Sequence, residues 1–274
     1  MWTGDKVVAC IDKPTMQFVN PLLKRKAFIW WNFPVSDYVR DRLLLGAVYG
    51  NGTDIDDDIS AFISNPMEHA EASKIALFSI ADYAWNMDAY KSDASWRRAV
   101  RYLMPGHAAA LQVFASHNSD LGGNEHDFRR EESEQIRPAL ERLLDAYCRE
   151  GKREVAAASA VTEECERMIA SADLLLASDE NPALIKEITP WLMQFKLLGE
   201  YGREVLCMLA AQCDGKKTEL EKAASHAKAL QVLMKKIDAT YNQNGFQPGV
   251  KTGSCHLKPA FDRLYQEVVQ RTGK

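Results

Sequence analysis

Two continuous apolar runs stand out in the first third of the chain. Ala27-Phe28-Ile29-Trp30-Trp31-Asn32-Phe33 is bounded by Lys24-Arg25-Lys26 and by Pro34, and Ile59-Ser60-Ala61-Phe62-Ile63-Ser64 ends at Asn65-Pro66-Met67-Glu68. Short runs of this kind suit strands buried on both faces, as a parallel sheet requires. Val7-Val8-Ala9-Cys10 reads as the tail of a further strand unit. A helix is expected after the first run, capped by Ser36 or Asp37, with Tyr38, Leu43, Leu44 and Leu45 in its body. Asn65-Pro66-Met67-Glu68 has the form of a second helix start, with an Asn cap, Pro at the first position and Glu at the third. Ala72, Ile75, Ala76, Ile80 and Tyr83 follow at helical spacing.

Beyond residue 105 the period is helical throughout. Leu140, Leu143, Leu144 and Tyr147 share a face after Pro138, and Cys165, Ile169, Ala172 and Leu176 form a stripe after Thr162. A long helix is expected from Pro182 to Ala211, kinked at Pro190. Two more carry Leu220, Ala224, Ala227, Leu230, Met234 and Ile237, then Leu257, Phe261, Leu264 and Val268. Between them, 242–253 is rich in Asn and Gly and reads as an irregular loop. The pattern predicts α/β followed by all-α: residues 1–105 as the last strands of a barrel, residues 106–274 as a helical bundle domain. Two or three βα units cannot close a sheet, and an open apolar edge is a hazard. Met1-Trp2-Thr3-Gly4 moreover reads as the exit of a strand. The expectation is therefore a truncated chain that lacks the N-terminal half of its barrel.

Composition narrows the function classes. A net charge of −4 over 274 residues argues against a chain built to neutralise nucleic-acid phosphate. No run of 18 apolar residues is present, so no membrane span is expected, and the first residues lack the order of a signal peptide. Six cysteines, Cys10, Cys148, Cys165, Cys207, Cys213 and Cys255, are scattered without C-x-x-C spacing. They are expected to be free and mostly buried, with no metal site and no cofactor.

The candidate chemistry lies at the strand ends. Trp30-Trp31-Asn32-Phe33-Pro34-Val35-Ser36-Asp37-Tyr38 puts aromatic rings, an amide and a carboxylate where barrel enzymes build their sites. A flat ring beside paired donors and acceptors suits a sugar. The tryptophans equally suit a core, and Asp37 a helix cap. Asn65 suits either a hydroxyl contact or a capping box with Glu68. Asp54-Ile55-Asp56-Asp57-Asp58 lacks the Gly and Glu of a calcium loop and precedes its strand, so it reads as a solvated loop. The polar stretch from His117 to His126 reads as a connector that either borders a cleft or merely joins helices, and the lysines from Lys216 to Lys236 alternate with glutamates as a solvated face.

Ile29-Trp30-Trp31-Asn32-Phe33-Pro34-Val35-Ser36-Asp37-Tyr38, Leu43-Leu44-Leu45-Gly46, Tyr49-Gly50-Asn51 and Asn65-Pro66-Met67-Glu68-His69-Ala70-Glu71 together resemble glycoside hydrolase family 84, the β-N-acetylglucosaminidases that include the O-GlcNAcases. Tyr83-Ala84-Trp85-Asn86, His117-Asn118-Ser119-Asp120-Leu121-Gly122, Arg129-Arg130-Glu131-Glu132-Ser133 and Ile188-Thr189-Pro190-Trp191 continue the likeness. The resemblance implies a (β/α)8 barrel followed by a helical domain. It implies that Trp30 walls the pocket for an N-acetyl methyl, that Asn32 binds the sugar, and that Asp37 and Asn65 hold ring hydroxyls. Trp31 joins this substrate-binding set or is structural. The implied mechanism is retaining and substrate-assisted, and its adjacent aspartates have no counterpart here, since Asp57-Asp58 lies in the wrong loop. The implied partner is a β-linked N-acetylglucosamine glycan or glycoprotein, met in a secreted or periplasmic setting. The competing expectation is a non-catalytic helical interaction or carbohydrate-binding module.

Overall fold

The computed structural model describes residues 10–120 and 130–272. The expected strand tail at Val7, the segment Met1–Gly4, and the stretch from Leu121 to Arg129 lie outside them, although Cys10 itself is described as irregular. The chain divides into two compact units. The first comprises residues up to Glu131 together with Asp179–Glu187, and the second comprises Glu132–Ser178 and Ile188 onward. From the sequence, the division was drawn at 105/106.

The first unit opens with α1 (Lys13–Leu23), a helix absent from the sequence expectations. Its start is well specified, because Asp12 accepts the Thr15 N–H at 2.9 Å and a proline sits in the first turn. β1 (Ala27–Pro34) and β2 (Ile59–Asn65) form a two-stranded parallel sheet with Trp30 opposite Ile63 and Trp31 opposite Ser64. Both strands fall on the expected runs. Side chains alternate across the sheet. On one face Ile29, Trp31 and Phe33 are fully buried, and Trp31 packs against Phe33, Phe62 and Tyr83 with ring centres 5.3, 5.6 and 6.1 Å away. Tyr83 belongs to α2 (Ala70–Trp85), whose Ala72, Ile75, Ala76, Ile80 and Tyr83 are buried as expected. Burial pushes the Tyr83 phenol far above its ordinary pKa, and its hydroxyl donates to the Gly52 carbonyl. α3 (Ser92–Leu103) and α4 (Ala108–Ser116) complete the helices lying wholly within this unit among the described residues.

Two helix expectations fail; in the first, backbone donors of the segment are taken elsewhere. Residues 37–42 form turns, and 43–49 run as irregular chain rather than helix. Leu43, Leu44 and Leu45 are all buried, which three consecutive positions on an amphipathic helix would not be. The Leu45 N–H donates to the Asn118 carbonyl at 2.8 Å, and the Val48 N–H to Ser79 Oγ at 2.9 Å. In the second, Asn65 caps no helix. α2 begins at Ala70 after His69, and the Ala72 N–H donates to Glu187 Oε1 at 2.7 Å.

The second unit is helical. It contains α5 (Arg137–Glu150), α6 (Val155–Leu176), the greater part of α7 (Pro182–Cys213), α8 (Lys217–Asp238) and α9 (Leu257–Thr272). α7 continues through Pro190 as one helix, and its first residues, through Glu187, belong to the first unit. α6 begins at Val155, capped by Glu154 through the Ala157 N–H, so Thr162 lies inside the helix and does not start it. α5 ends on Gly151, whose φ of 68° is a left-handed conformation that glycine adopts without strain. Gly202 has a different cause: a Cβ there would lie 2.5 Å from the Phe261 ring, so its absence lets α7 and α9 approach. Of the six thiols only Cys165 is buried, while Cys207 and Cys213 are exposed, contrary to the expectation of mostly buried cysteines.

Candidate functional site at the strand ends

The face of the sheet opposite Trp31 is open. Phe28 is 53% exposed, Trp30 46% and Ile63 45%, so three large apolar side chains of one surface face outward. Asn32 lies on this same face by alternation and is buried. Two donors converge on its side-chain oxygen: the Trp30 indole N–H at 3.0 Å and the Asn65 amide N–H at 3.2 Å. Each bond acts across a different distance in sequence. The first fixes the indole two residues back on β1, and the second ties the last residue of β2 to β1. The Ser64 hydroxyl adds a further cross-strand tie to the Phe33 carbonyl at 2.7 Å.

The structure thus brings Trp30, Asn32 and Asn65 together in one bonded cluster at the C-terminal end of the parallel pair. Asp37 stands three residues beyond β1 with an exposed side chain and no helix behind it, which removes the reading of Asp37 as an N-cap. Trp31, which the sequence left as either a substrate contact or structural, is 0% exposed on the opposite face, where it packs into the core beneath the sheet and away from the cluster.

Arg40 is the residue that sequence reading missed. Its Nε donates to the Asp37 carbonyl at 3.3 Å, and its Nη1 lies 3.9 Å from Glu68 Oε2. It therefore links the turn after β1 to the turn after β2, and so holds the Asp37 segment next to the one that follows Asn65. Only its position three residues after Asp37 hinted at this. His69, on the same turn, is held below its ordinary pKa by burial, although Glu187 and Glu68 pull the other way. The acidic stretch is solvated as expected: Asp54, Asp56 and Asp57 are exposed, ahead of β2 and away from the strand ends, and Asp58 pairs with Lys13 at 2.9 Å.

Comparison with known proteins divides the chain in the same order. Residues 1–116 match a family described as beta-N-acetylglucosaminidase, and residues 132–265 match one described as bacterial GH84, post-catalytic domain. Protein O-GlcNAcase of Rattus norvegicus and that of Mus musculus are each 33% identical over 95 residues, 34% of this chain and 10% of theirs. Among solved structures, CpGH84B has a TM-score of 0.85 at 25% identity, covering 96% of this chain and 44% of that one. CpGH84D has a TM-score of 0.85 at 27% identity, covering 98% and 45%. An O-GlcNAc hydrolase of Thermobaculum terrenum shares the fold, with a TM-score of 0.76 at 21% identity over all of this chain and 56% of that one. The chain therefore spans about a tenth of those curated relatives and about half of those structures. The end of a barrel followed by a helical domain is the architecture that these likenesses and the observed elements share.

Proposed function

The chain belongs to glycoside hydrolase family 84, and on that premise we propose that its strand ends form one wall of a pocket for a terminal β-linked N-acetylglucosamine on a glycoprotein or glycan. The observation that supports this is the Trp30–Asn32–Asn65 cluster at the C-terminal end of a parallel pair, where barrel enzymes work. The Trp30 ring, steadied through its indole N–H, offers a flat apolar surface that shields the acetamide methyl from water. The Asn32 amide is oriented by the two donors on its oxygen. The carbonyl end of the Asn65 amide accepts a ring hydroxyl, and the exposed Asp37 carboxylate takes the hydroxyls at O4 and O6 as charge-assisted bonds. The open face of Phe28, Trp30 and Ile63 is covered by further strands of the barrel.

The chemistry assigned to the intact enzyme is retaining and substrate-assisted. The acetamide oxygen of the sugar attacks the anomeric carbon, the glycosidic bond breaks, and an oxazoline forms, which water then opens. One carboxylate holds the acetamide N–H. A second gives its proton to the leaving oxygen and later takes one from water. Both come from a barrel segment that this chain does not contain. The 274 residues bind and orient the sugar and do not hydrolyse it. A substrate carried on exported or surface glycans goes with a secreted or periplasmic place of action.

The test is turnover of an aryl β-N-acetylglucosaminide by the purified chain. None is expected. Turnover that disappears in Asp57→Asn would show that the acidic loop is the catalytic pair and would overturn both assignments.

A further inference from the structure

The second unit holds a cleft of about 500 Å3, away from the strand ends in sequence and built from four segments. Gln194 of α7, Gln231 and Met234 of α8, Thr252 and Ser254 of the loop before α9, and Tyr265 of α9 line it. Two of these side chains are unusual. Gln194 is 6% exposed and Thr252 5%, yet Gln194 Oε1 and Thr252 Oγ1 are sealed from solvent without a hydrogen-bond partner. The Gln194 amide nitrogen reaches only the Met234 carbonyl, at 3.4 Å. Buried oxygens of this kind are normally paired. Both side chains line one cleft, and turning their oxygens into it would let a ligand's hydroxyl groups supply the missing bonds.

The surrounding charges largely cancel. Lys258 pairs with Asp262, which also accepts from the Tyr201 hydroxyl at 3.0 Å, while Gln231 donates to that hydroxyl at 2.8 Å. Asp238 is occupied by the Val250 N–H at 2.8 Å. Lys235 and Lys251 also stand on the lining. Amides and hydroxyls that both donate and accept, next to a tyrosine ring, match the alternating hydroxyls and flat face of a sugar better than they match an anion. We propose that this cleft binds an uncharged saccharide, as a second carbohydrate site independent of the activity proposed above.

The experiment labels the methionine methyls of the full 274-residue chain and follows Met234 by NMR. The probes are lactose, N,N′-diacetylchitobiose and inorganic phosphate. A saturable shift of Met234 with at least one disaccharide is expected. Thr252→Val and Gln194→Met should each weaken it by about tenfold or more, as loss of a buried bond to ligand does, and Trp30→Ala should leave it unchanged. Should a buried variant lose its native spectrum, Tyr265→Leu takes its place, with the same weakening expected. Silence with both disaccharides, a response to phosphate alone, or unaltered affinity in the folded variants overturns the proposal. Loss of the shift in Trp30→Ala does so too, by assigning the sugar to the strand-end site.

Discussion

Trp30 and Trp31 are chain neighbours, and the parity of β1 predicts that they behave as different kinds of residue. Trp31 is fully buried against Phe33, Phe62 and Tyr83. Truncating a buried Trp to Ala costs about 3–5 kcal/mol, because the lost transfer energy adds to that of the cavity left behind. Trp30 is 46% exposed and makes one indole bond to Asn32. Burying roughly half of such a side chain contributes about 1 kcal/mol, and a net hydrogen bond about another 0.5–1 kcal/mol. The two substitutions should therefore differ by about 1–3.5 kcal/mol. The assay is urea unfolding followed at the Ile29 and Tyr83 backbone amides by NMR, since these report on the first unit alone. With a urea slope of about 2 kcal/mol per molar, Trp31→Ala lowers the midpoint by about 1.5–2.5 M and Trp30→Ala by less than about 1 M. Equal losses, or a larger loss for Trp30→Ala, would refute the assignment of one ring to the core and the other to the open face.

Three further outcomes are expected. In the enzyme with its complete barrel, Asp37→Ala lowers kcat/KM for an aryl β-N-acetylglucosaminide by about tenfold to a thousandfold, because charge-assisted bonds carry about 1.5–3 kcal/mol or more; an unchanged value removes Asp37 from the pocket. Glu187→Ala leaves the Ala72 N–H at the start of α2 without its 2.7 Å partner and costs about 1–2 kcal/mol in the first unit, measured by the same urea titration; a loss below about 0.3 kcal/mol would show that water replaces the carboxylate. Glu180 is held below its ordinary pKa of 4.5, chiefly by the Gly106 N–H and then by His107. A depressed carboxylate stabilises the fold above its unfolded pKa, and that contribution is lost as pH falls through the folded value. The Gly106 amide shift should accordingly titrate with a midpoint below 4.5, and a midpoint at or above it contradicts the contact.

The strands were legible because their apolar runs are continuous and bounded by charge and proline; both begin where the pattern puts them and end one residue beyond it. The helix faces were legible for the same reason: Leu140, Leu143 and Tyr147 are buried together, as are Phe261, Leu264 and Val268. Residues 37–49 were not, because local apolar content was read as helix when tertiary partners, Asn118 and Ser79, claim the backbone donors. The cap assigned to Asn65 went astray because Asn65 closes β2, its amide bonded to Asn32, 33 positions earlier, and α2 starts only after His69. Within the candidate site, Trp30, Asn32 and Asn65 could be singled out as strand-end residues. Which tryptophan faced outward depends on strand register, and the part played by Arg40 depends on two turns meeting in space; neither is written in local spacing.

The most direct measurement for the account as a whole is a titration of the chain with N-acetylglucosamine, following the Asn32 and Asn65 side-chain amides and the Trp30 and Trp31 indole N–H signals by NMR. As one wall of the proposed pocket, the cluster is expected to bind weakly, with a dissociation constant of about 1 mM or more. The Asn32, Asn65 and Trp30 signals should move together on one saturable curve while the Trp31 indole stays still. Movement of Trp31 without the other three, or no movement of the cluster at saturating sugar, would contradict the placement of the N-acetylglucosamine wall at these strand ends.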